Sequence, residues 1–187
     1  MRYYKLIYDY ENDDKSIFCD IANIGNMSEY IVQDGKTIDN WENVIFEYNS
    51  QDGNIFTDYL SNVYSWLVVS DKFKRVTNDL ISDHVQYLPL KIIERNTGVE
   101  IDTYSVLNIL SIVDALDLEH SVYDIFELDN EKIISIQKYA LQKNKILDQH
   151  IFRLENQEIG IFVSEALKEV IESEHLLGFS FLEVYVS

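Results

Sequence analysis

Histidine is the first residue type to examine for chemistry, because its imidazole serves as a metal ligand and as a general base. The four histidines are scattered along the chain, and none stands in an HExxH or CxxC context: His84, His120, His150 and His175. A zinc site or a catalytic metal site needs ligands that cluster at short spacings. The sequence therefore predicts no metal site and no cofactor.

Cys19 is the single cysteine of the chain and lies in an apolar run without an adjacent histidine or basic residue. A thiol becomes a nucleophile when a nearby positive charge lowers its pKa, and Cys19 has no such neighbour. We expect a buried, inert thiol. A single cysteine also excludes an internal disulfide and fits a reducing compartment.

Two serines stand in segments that resemble each other in outline, residues 66–76 and 160–170. Each segment reads as an apolar strand, a serine (Ser70 or Ser164), an acid and an amphipathic helix. A serine before a helix accepts a hydrogen bond from a free amide of the first turn, and the acid suits the positive end of the helix dipole. Both serines are therefore interpreted as helix caps and not as nucleophiles.

The motifs of common enzyme classes are absent from the sequence, which has no GxSxG elbow, no GxxxxGK[ST] loop and no GxGxxG turn. Carboxylates are so numerous that some pair must lie close together, so a glycosidase-like pair carries no information by itself. A general acid also needs an apolar pocket that raises its pKa, which a sequence does not reveal. We expect a binding protein and not an enzyme.

The charge is strongly acidic: 15 Lys and Arg stand against 33 Asp and Glu, for a net charge of −18. Two stretches contain no Lys or Arg, one between Lys36 and Lys72 and one between Arg95 and Lys132. Either these acids form a solvated surface, or they meet a partner of opposite charge. Direct binding of nucleic acid is disfavoured, because phosphates require clustered cations.

The elements that must position these residues are mostly strands, since Tyr, Phe, Ile and Val are abundant and only one Pro and six Gly occur. We predict an α+β fold, an antiparallel or mixed β-sheet with a few packed amphipathic helices and two similar strand-helix-strand units. Helices are expected from Asp71 to Ile81 and from Glu165 to about Glu174. Residues 99–141 fit either a helix or buried strands.

The length of 187 residues fits one domain, residues 1–187, with a possible division into half-units of about 1–95 and 96–187 that share a core. The N-terminus lacks an apolar run of signal-peptide length, and no stretch approaches eighteen uncharged apolar residues. We therefore expect a cytoplasmic protein without membrane contact. The oligomeric state stays open.

The C-terminal segment resembles a known family through three motifs: His150–Leu154, Ile161–Glu165 with Leu167-Lys168, and Leu177–Phe181 through Val184. They are similar to the end of the Imm11-type (DUF1629) immunity proteins of bacterial polymorphic toxin systems. Further similarities extend the resemblance to roughly residues 40–187: Asp58–Leu60, Trp66–Ser70, Val85–Pro89 and Val113–Leu118. The resemblance implies a cytoplasmic antidote, usually encoded beside a toxin, that binds the toxic domain and blocks it. It implies no catalytic residues.

Three functions are compatible with these features. The first is an immunity protein whose acidic surface meets a cationic toxin, with contacts expected from Asp114, Asp117, Glu119, Asp124, Glu127 and Asp129. Each of these acids has the alternative interpretation of a solvated surface residue, and Asp114 and Asp117 could instead cap or brace the fold. The second function is an acidic nucleic-acid mimic of the anti-restriction type, and the third is a hydrolase whose site is assembled from dispersed residues.

Overall fold

The computed structural model describes residues 1–11, 15–128 and 131–187. Strands dominate this part of the chain, and they are accompanied by two α-helices, α1 (Asp71–Ile81) and α2 (Glu165–Ser173). Short 3₁₀ helices occupy Ile31–Gln33, Ser82–His84 and Lys143–Lys145. The strands are β1 (Tyr3–Tyr8), β2 (Phe18–Cys19), β3 (Ile21–Asn23), β4 (Val44–Tyr48), β5 (Tyr59–Asn62), β6 (Val68–Ser70), β7 (Val85–Glu94), β8 (Glu100–Ile101), β9 (Tyr104–Ile109), β10 (Ile112–Val113), β11 (Val122–Leu128), β12 (Glu131–Lys138), β13 (Ala140–Leu141), β14 (Ile151–Leu154), β15 (Gln157–Ser164) and β16 (Phe179–Val186).

One mixed sheet, called here the C-terminal sheet, has the strand order β10-β14-β15-β1-β16-β13. The N-terminal strand β1 lies in its centre and pairs antiparallel with both β15 and β16. The short strands β10 and β13 pair in parallel with β14 and β16. The first strand of the chain is thus held between two strands from its last thirty residues, which ties the two ends of the chain together.

The second mixed sheet, the N-terminal sheet, has the order β2-β5-β6-β9-β7-β4-β3, and β8 pairs with β7 beside this path. Strand β9 lies between β6 and β7 and is antiparallel to both. Residues 104–109, which fitted either a helix or a strand by sequence, therefore form a strand. The mixed sheets and the two helices agree with the expected α+β class.

Both predicted helices are present, and both serine caps are confirmed. Ser70 accepts a hydrogen bond from the Phe73 amide at 3.1 Å, and Ser164 accepts one from the Leu167 amide at 3.2 Å. Each cap stands at the end of a strand, β6 or β15, so the strand leads directly into the helix. Helix α1 begins and ends at the predicted residues, and α2 ends one residue earlier than expected.

The principal hydrophobic core is shared by the two sheets and the two helices, which also contact each other. Phe73 of α1 stacks on Phe179 of β16, with ring centroids 5.3 Å apart. Both sheets and both helices contribute fully buried or nearly buried side chains to this core: Leu6, Val69, Phe73, Leu107, Val163 and Leu167. Burial of one such side chain stabilises the fold by about 1.5–3 kcal/mol, so this shared core holds the sheets together.

The turn before β16 fixes the N-terminal sheet against the C-terminal one. The carboxylate of Asp58 accepts hydrogen bonds from the Ser70 hydroxyl at 2.5 Å and from the Leu177 amide at 3.0 Å. Gly178 follows with a φ of +90°, and a Cβ built there would lie 2.4 Å from the carbonyl oxygen of Tyr59. Only glycine permits both this backbone conformation and this close approach.

Candidate partner-binding surface

Strands β11 and β12 form a hairpin that is separate from both sheets, and we call it the arm. Within the described residues these two strands pair only with each other, from Val122 opposite Lys138 to Leu128 opposite Glu131. Because side chains alternate across a strand, Ile125 and the opposite Ile134 lie on one face of the arm. Phe126 and the opposite Ile133 lie on the other face.

The arm exposes apolar side chains on both of its faces. The exposed fraction is 56% for Ile125, 55% for Phe126 and 45% for Ile133. A two-stranded hairpin is only marginally stable in water unless its apolar side chains are packed against other structure. Exposed apolar side chains that lie together mark surfaces that bind other molecules.

The base of the arm is braced by Asp117, which is buried. Its carboxylate accepts hydrogen bonds from the amides of Glu119 and His120 at 3.0 and 3.3 Å, and it lies 2.8 Å from Nδ1 of His120. Hydrogen bonds from Ser187 and from His120 lower the pKa of Asp117. Ser121 completes the base, since its hydroxyl donates to the Asp117 carbonyl and accepts from the Ala140 amide. Asp117 therefore makes the contacts expected of a residue that braces the fold, which was one of its three interpretations.

The other predicted contact residues lie on or beside the arm. Asp124 and Glu127 are exposed on β11, and Asp124 accepts a hydrogen bond from the Gln137 side chain on β12. Glu119 is exposed in the turn that leads into the arm. Asp114 is also exposed, with Lys145 at 3.6 Å. The remaining candidate, Asp129, lies outside the described residues.

The acids of the other basic-free stretch are largely engaged within the fold. Glu42 accepts a hydrogen bond from the Asn26 amide, Glu47 lies 3.7 Å from Arg95, and Asp52 accepts one from Asn49. Asp58 is the half-buried brace between the sheets. The other two acids of this stretch, Asp39 and Asp71, are exposed, as are Asp114, Glu119, Asp124 and Glu127 near the arm.

Several grooves border the arm, and two of them are lined by apolar side chains of β12. One, of about 670 Å³, lies between β12 and strands β1 and β15, with Lys5, Ile7 and Ile159 in its wall. Ile159 is 82% exposed. The second groove, of about 570 Å³, is lined by the apolar side chains of Leu116 and Leu118 and by the acids Asp114 and Glu155, together with β12. The second groove thus combines apolar and acidic side chains, as the arm does, whereas the first is apolar and polar with Lys5 as its charged residue.

Two of the groups considered for catalysis, Cys19 and Ser164, are buried away from solvent. Cys19 is fully buried, and burial raises the pKa of its thiol to about 12. Ser164 lies 2.8 Å from Nδ1 of His150, but its side chain has no exposure to solvent and caps α2. Within residues 1–11, 15–128 and 131–187, no three His, Cys, Asp or Glu side chains are grouped to hold a metal ion.

Sequence reasoning found the acids near the arm but missed its apolar residues. Two pairs of consecutive apolar residues, Ile125-Phe126 and Ile133-Ile134, carried the signal. On a strand that belongs to a sheet, such a pair places one side chain in a core and the other on the opposite face. On a hairpin that pairs with neither sheet, apolar side chains stay exposed on both faces, and this separate pairing was not predicted.

The fold and this surface define an α+β protein of two mixed sheets whose most exposed element is an acidic and apolar arm. The chain belongs to the Imm11 immunity protein family, whose model matches residues 8–186, nearly its whole length. This confirms the resemblance seen in the C-terminal motifs. No match to this chain was found among curated proteins. In the described part of the chain, no helix has the length and apolar character needed to cross a membrane.

Proposed function

We propose that this protein is a non-catalytic bacterial immunity protein that binds a cognate toxin domain in the cytoplasm and neutralises it. Membership in the Imm11 immunity family is the observation that carries this proposal. The buried positions of Cys19 and Ser164 support a role without covalent catalysis. Neutralisation then requires only that the complex covers the surface by which the toxin acts.

The toxin surface that this protein binds is proposed to be basic. The net charge of −18 and the exposed carboxylates on or beside the arm support this choice: Asp114, Glu119, Asp124 and Glu127. Opposite charges steer two proteins together and raise the association rate toward about 10⁸–10⁹ M⁻¹s⁻¹ at low salt. Fast association suits an antidote, because an unbound toxin acts until it is captured.

Asp117 and Asp129 take different places in this proposal. Asp117 is proposed to act by positioning the arm, because its carboxylate is occupied by the amides of the turn and by His120. Asp129 keeps the role of a contact residue, on the basis of its place in the same acidic stretch of sequence.

The nucleic-acid mimic ranks below the immunity protein. A mimic of the phosphate backbone requires a surface of carboxylates, whereas Asp124 and Glu127 of the arm flank the exposed apolar pair Ile125-Phe126. Exposed apolar side chains on the proposed contact surface favour a protein partner. A hydrolase with a dispersed site has no specific observation in its favour.

We also propose that residues 1–187 form one domain containing two equivalent strand-helix-strand units, β6-α1-β7 and β15-α2-β16. Each unit has a serine cap, and each encloses an antiparallel strand from elsewhere in the chain, β9 or β1. Because β1 joins the C-terminal sheet and β9 joins the N-terminal one, half-units of about 1–95 and 96–187 would exchange strands. Such an exchange favours a single domain.

Co-expression tests the proposed function directly. The toxin domain encoded beside the gene is expressed in the bacterial cytoplasm with and without this protein, and the surviving cells are counted. We expect survival with this protein and death without it. As a control for expression load, the toxin is paired with an unrelated acidic protein of similar size. Death at matched levels of this protein would overturn the proposal.

A further inference from the structure

We propose that the arm enters a concave, cationic cleft of the toxin, so that both of its faces are covered at once. This inference rests on the proposed function and specifies the toxin surface that is recognised. It is drawn from the shape of the arm, from the apolar residues on its two faces and from the distribution of its carboxylates.

The apolar side chains exclude a flat partner surface. Ile125 and Phe126 are adjacent in sequence, lie on opposite faces of β11 and are both more than half exposed. A flat surface placed against one face would leave the other apolar face in water. A cleft whose walls flank the hairpin removes both faces from water and gains the free energy of burying both side chains.

The carboxylates of β11 are also divided between the faces. Asp124 shares a face with Phe126, and Glu127 shares a face with Ile125. Both acids are exposed, and Asp124 has the neutral side chain of Gln137 as its hydrogen-bond partner. Each face thus presents apolar side chains together with one carboxylate of β11, which is complementary to a cleft whose two walls are both cationic and partly apolar.

The surroundings of the arm leave room for such walls. The grooves of about 670 and about 570 Å³ lie between the arm and the body of the protein. The first has the strongly exposed Ile159 in its wall, and the second has Asp114 and Glu155. A wall of the toxin cleft that enters the second groove meets the same combination of apolar and acidic groups that the arm presents, whereas a wall that enters the first meets apolar side chains and Lys5. The brace at Asp117 holds the base of the arm in place for insertion.

Paired substitutions on the two faces test the inference. Ile125→Ser and Phe126→Ser are each measured against the toxin domain encoded beside the gene, by calorimetry. Both side chains are more than half exposed, so we expect little change in the thermal midpoint. We expect each substitution to weaken binding about 10-fold or more, because each removes a side chain that becomes buried on its own face. Val99→Ser is the matched control, since Val99 is 56% exposed directly before β8, which pairs with the N-terminal sheet and not with the arm.

The outcomes distinguish a toxin cleft from a flat partner surface and from an arm that makes no contact with the toxin. Loss of affinity on one face alone would show a flat partner surface and overturn the cleft. Wild-type affinity in both variants would overturn any role of the arm while leaving the immunity function intact. Failure of the unsubstituted protein to bind would overturn the proposed function and this inference with it.

Hydrogen exchange and sedimentation provide two further measurements. Hydrogen exchange should show slower exchange of the amides of 122–128 and 131–138 when the toxin domain is added, and unchanged exchange there would contradict insertion. Sedimentation of the free protein should show no self-association that depends on Ile125 or Phe126. A dimer that the two substitutions dissociate would assign the arm to a second copy of this chain and overturn the cleft.

Discussion

Asp117 and His120 form a hydrogen-bonded pair at the base of the arm, with Oδ2 of the carboxylate 2.8 Å from Nδ1 of the ring. An ionised carboxylate can only accept, so the ring nitrogen is assigned as the donor. The imidazole also lies 5.5 Å from the ring of Tyr185 on β16. This pair connects the turn that carries the arm to the C-terminal sheet.

Replacement of Asp117 should loosen the arm. We expect Asp117→Ala to speed hydrogen exchange of the amides of 122–138 by several-fold, because the amides of Glu119 and His120 lose their acceptor. Exchange in the core strand β9 should change less, since the shared core is untouched. Asp114→Ala is the control, because the Asp114 side chain is 74% exposed. Equal effects of the two substitutions would refute the bracing role.

Glu94 should make stability depend on pH. Hydrogen bonds from the Thr97 hydroxyl and from the Ser50 and Thr97 amides lower the pKa of this carboxyl to about 2. A carboxyl whose pKa is lower in the folded state stabilises the fold fully above its unfolded pKa, and this contribution declines as the pH falls toward 2. We therefore expect the urea midpoints of the wild type and Glu94→Gln to differ at pH 6, to differ less at pH 3 and to converge only as the pH approaches 2. A difference that stays constant across this range would contradict the assignment.

Gly178 should tolerate substitution less well than Gly98. Both have positive φ values, +90° and +71°, so a Cβ at either position strains the backbone at a cost of about 1–2 kcal/mol. A Cβ at Gly178 would also lie 2.4 Å from the Tyr59 carbonyl oxygen, whereas a Cβ at Gly98 would meet no atom within 4 Å. We expect Gly178→Ala to reduce the free energy of unfolding by about 1–3 kcal/mol more than Gly98→Ala does. Equal losses in chemical denaturation would show that the close approach has no energetic weight.

Neutralising the exposed acids should slow association with the toxin. We expect a variant with four charges removed to bind more slowly and with a weaker dependence on salt, because steering by opposite charges is reduced. Its dissociation rate and thermal midpoint should change much less. The variant carries Asp114→Asn, Glu119→Gln, Asp124→Asn and Glu127→Gln. Stopped-flow mixing with the toxin domain measures its association rate.

A second variant removes the same charge from exposed positions on the two helices and the N-terminal half. Its four substitutions are Asp39→Asn, Asp79→Asn, Asp83→Asn and Glu169→Gln. This variant controls for net charge as distinct from charge placement, and it should associate at nearly the wild-type rate. If both variants associate equally slowly, net charge governs the association rate, and the position of the acids near the arm does not contribute to it.

The sequence predicted those parts of the fold that are determined by local patterns. The helices were recognised because Ser70 and Ser164 cap amphipathic segments, and both the cap geometry and the buried face depend on nearby residues. The strand at 104–109 was ambiguous because all of its apolar residues are buried, so no alternation marks it.

The site depends on relationships that no local pattern contains. Asp117 was named with three interpretations, and only the turn around it and the distant Ser187 decide which contacts it makes. Ile125 and Phe126 became candidates only when β11 and β12 proved to pair apart from both sheets. Long-range pairing determines whether an apolar side chain is buried or left for a partner.

Calorimetric binding to the toxin domain at two salt concentrations tests the central claim most directly. At about 0.1 M salt the Debye length is about 10 Å, and at about 1 M it is about 3 Å, so the attraction between exposed charges is screened. We expect tight binding at the lower salt concentration and clearly weaker binding at the higher one. Tight binding that does not depend on salt would agree with the immunity function but contradict the acidic contact surface. No binding at either concentration would contradict neutralisation by direct binding.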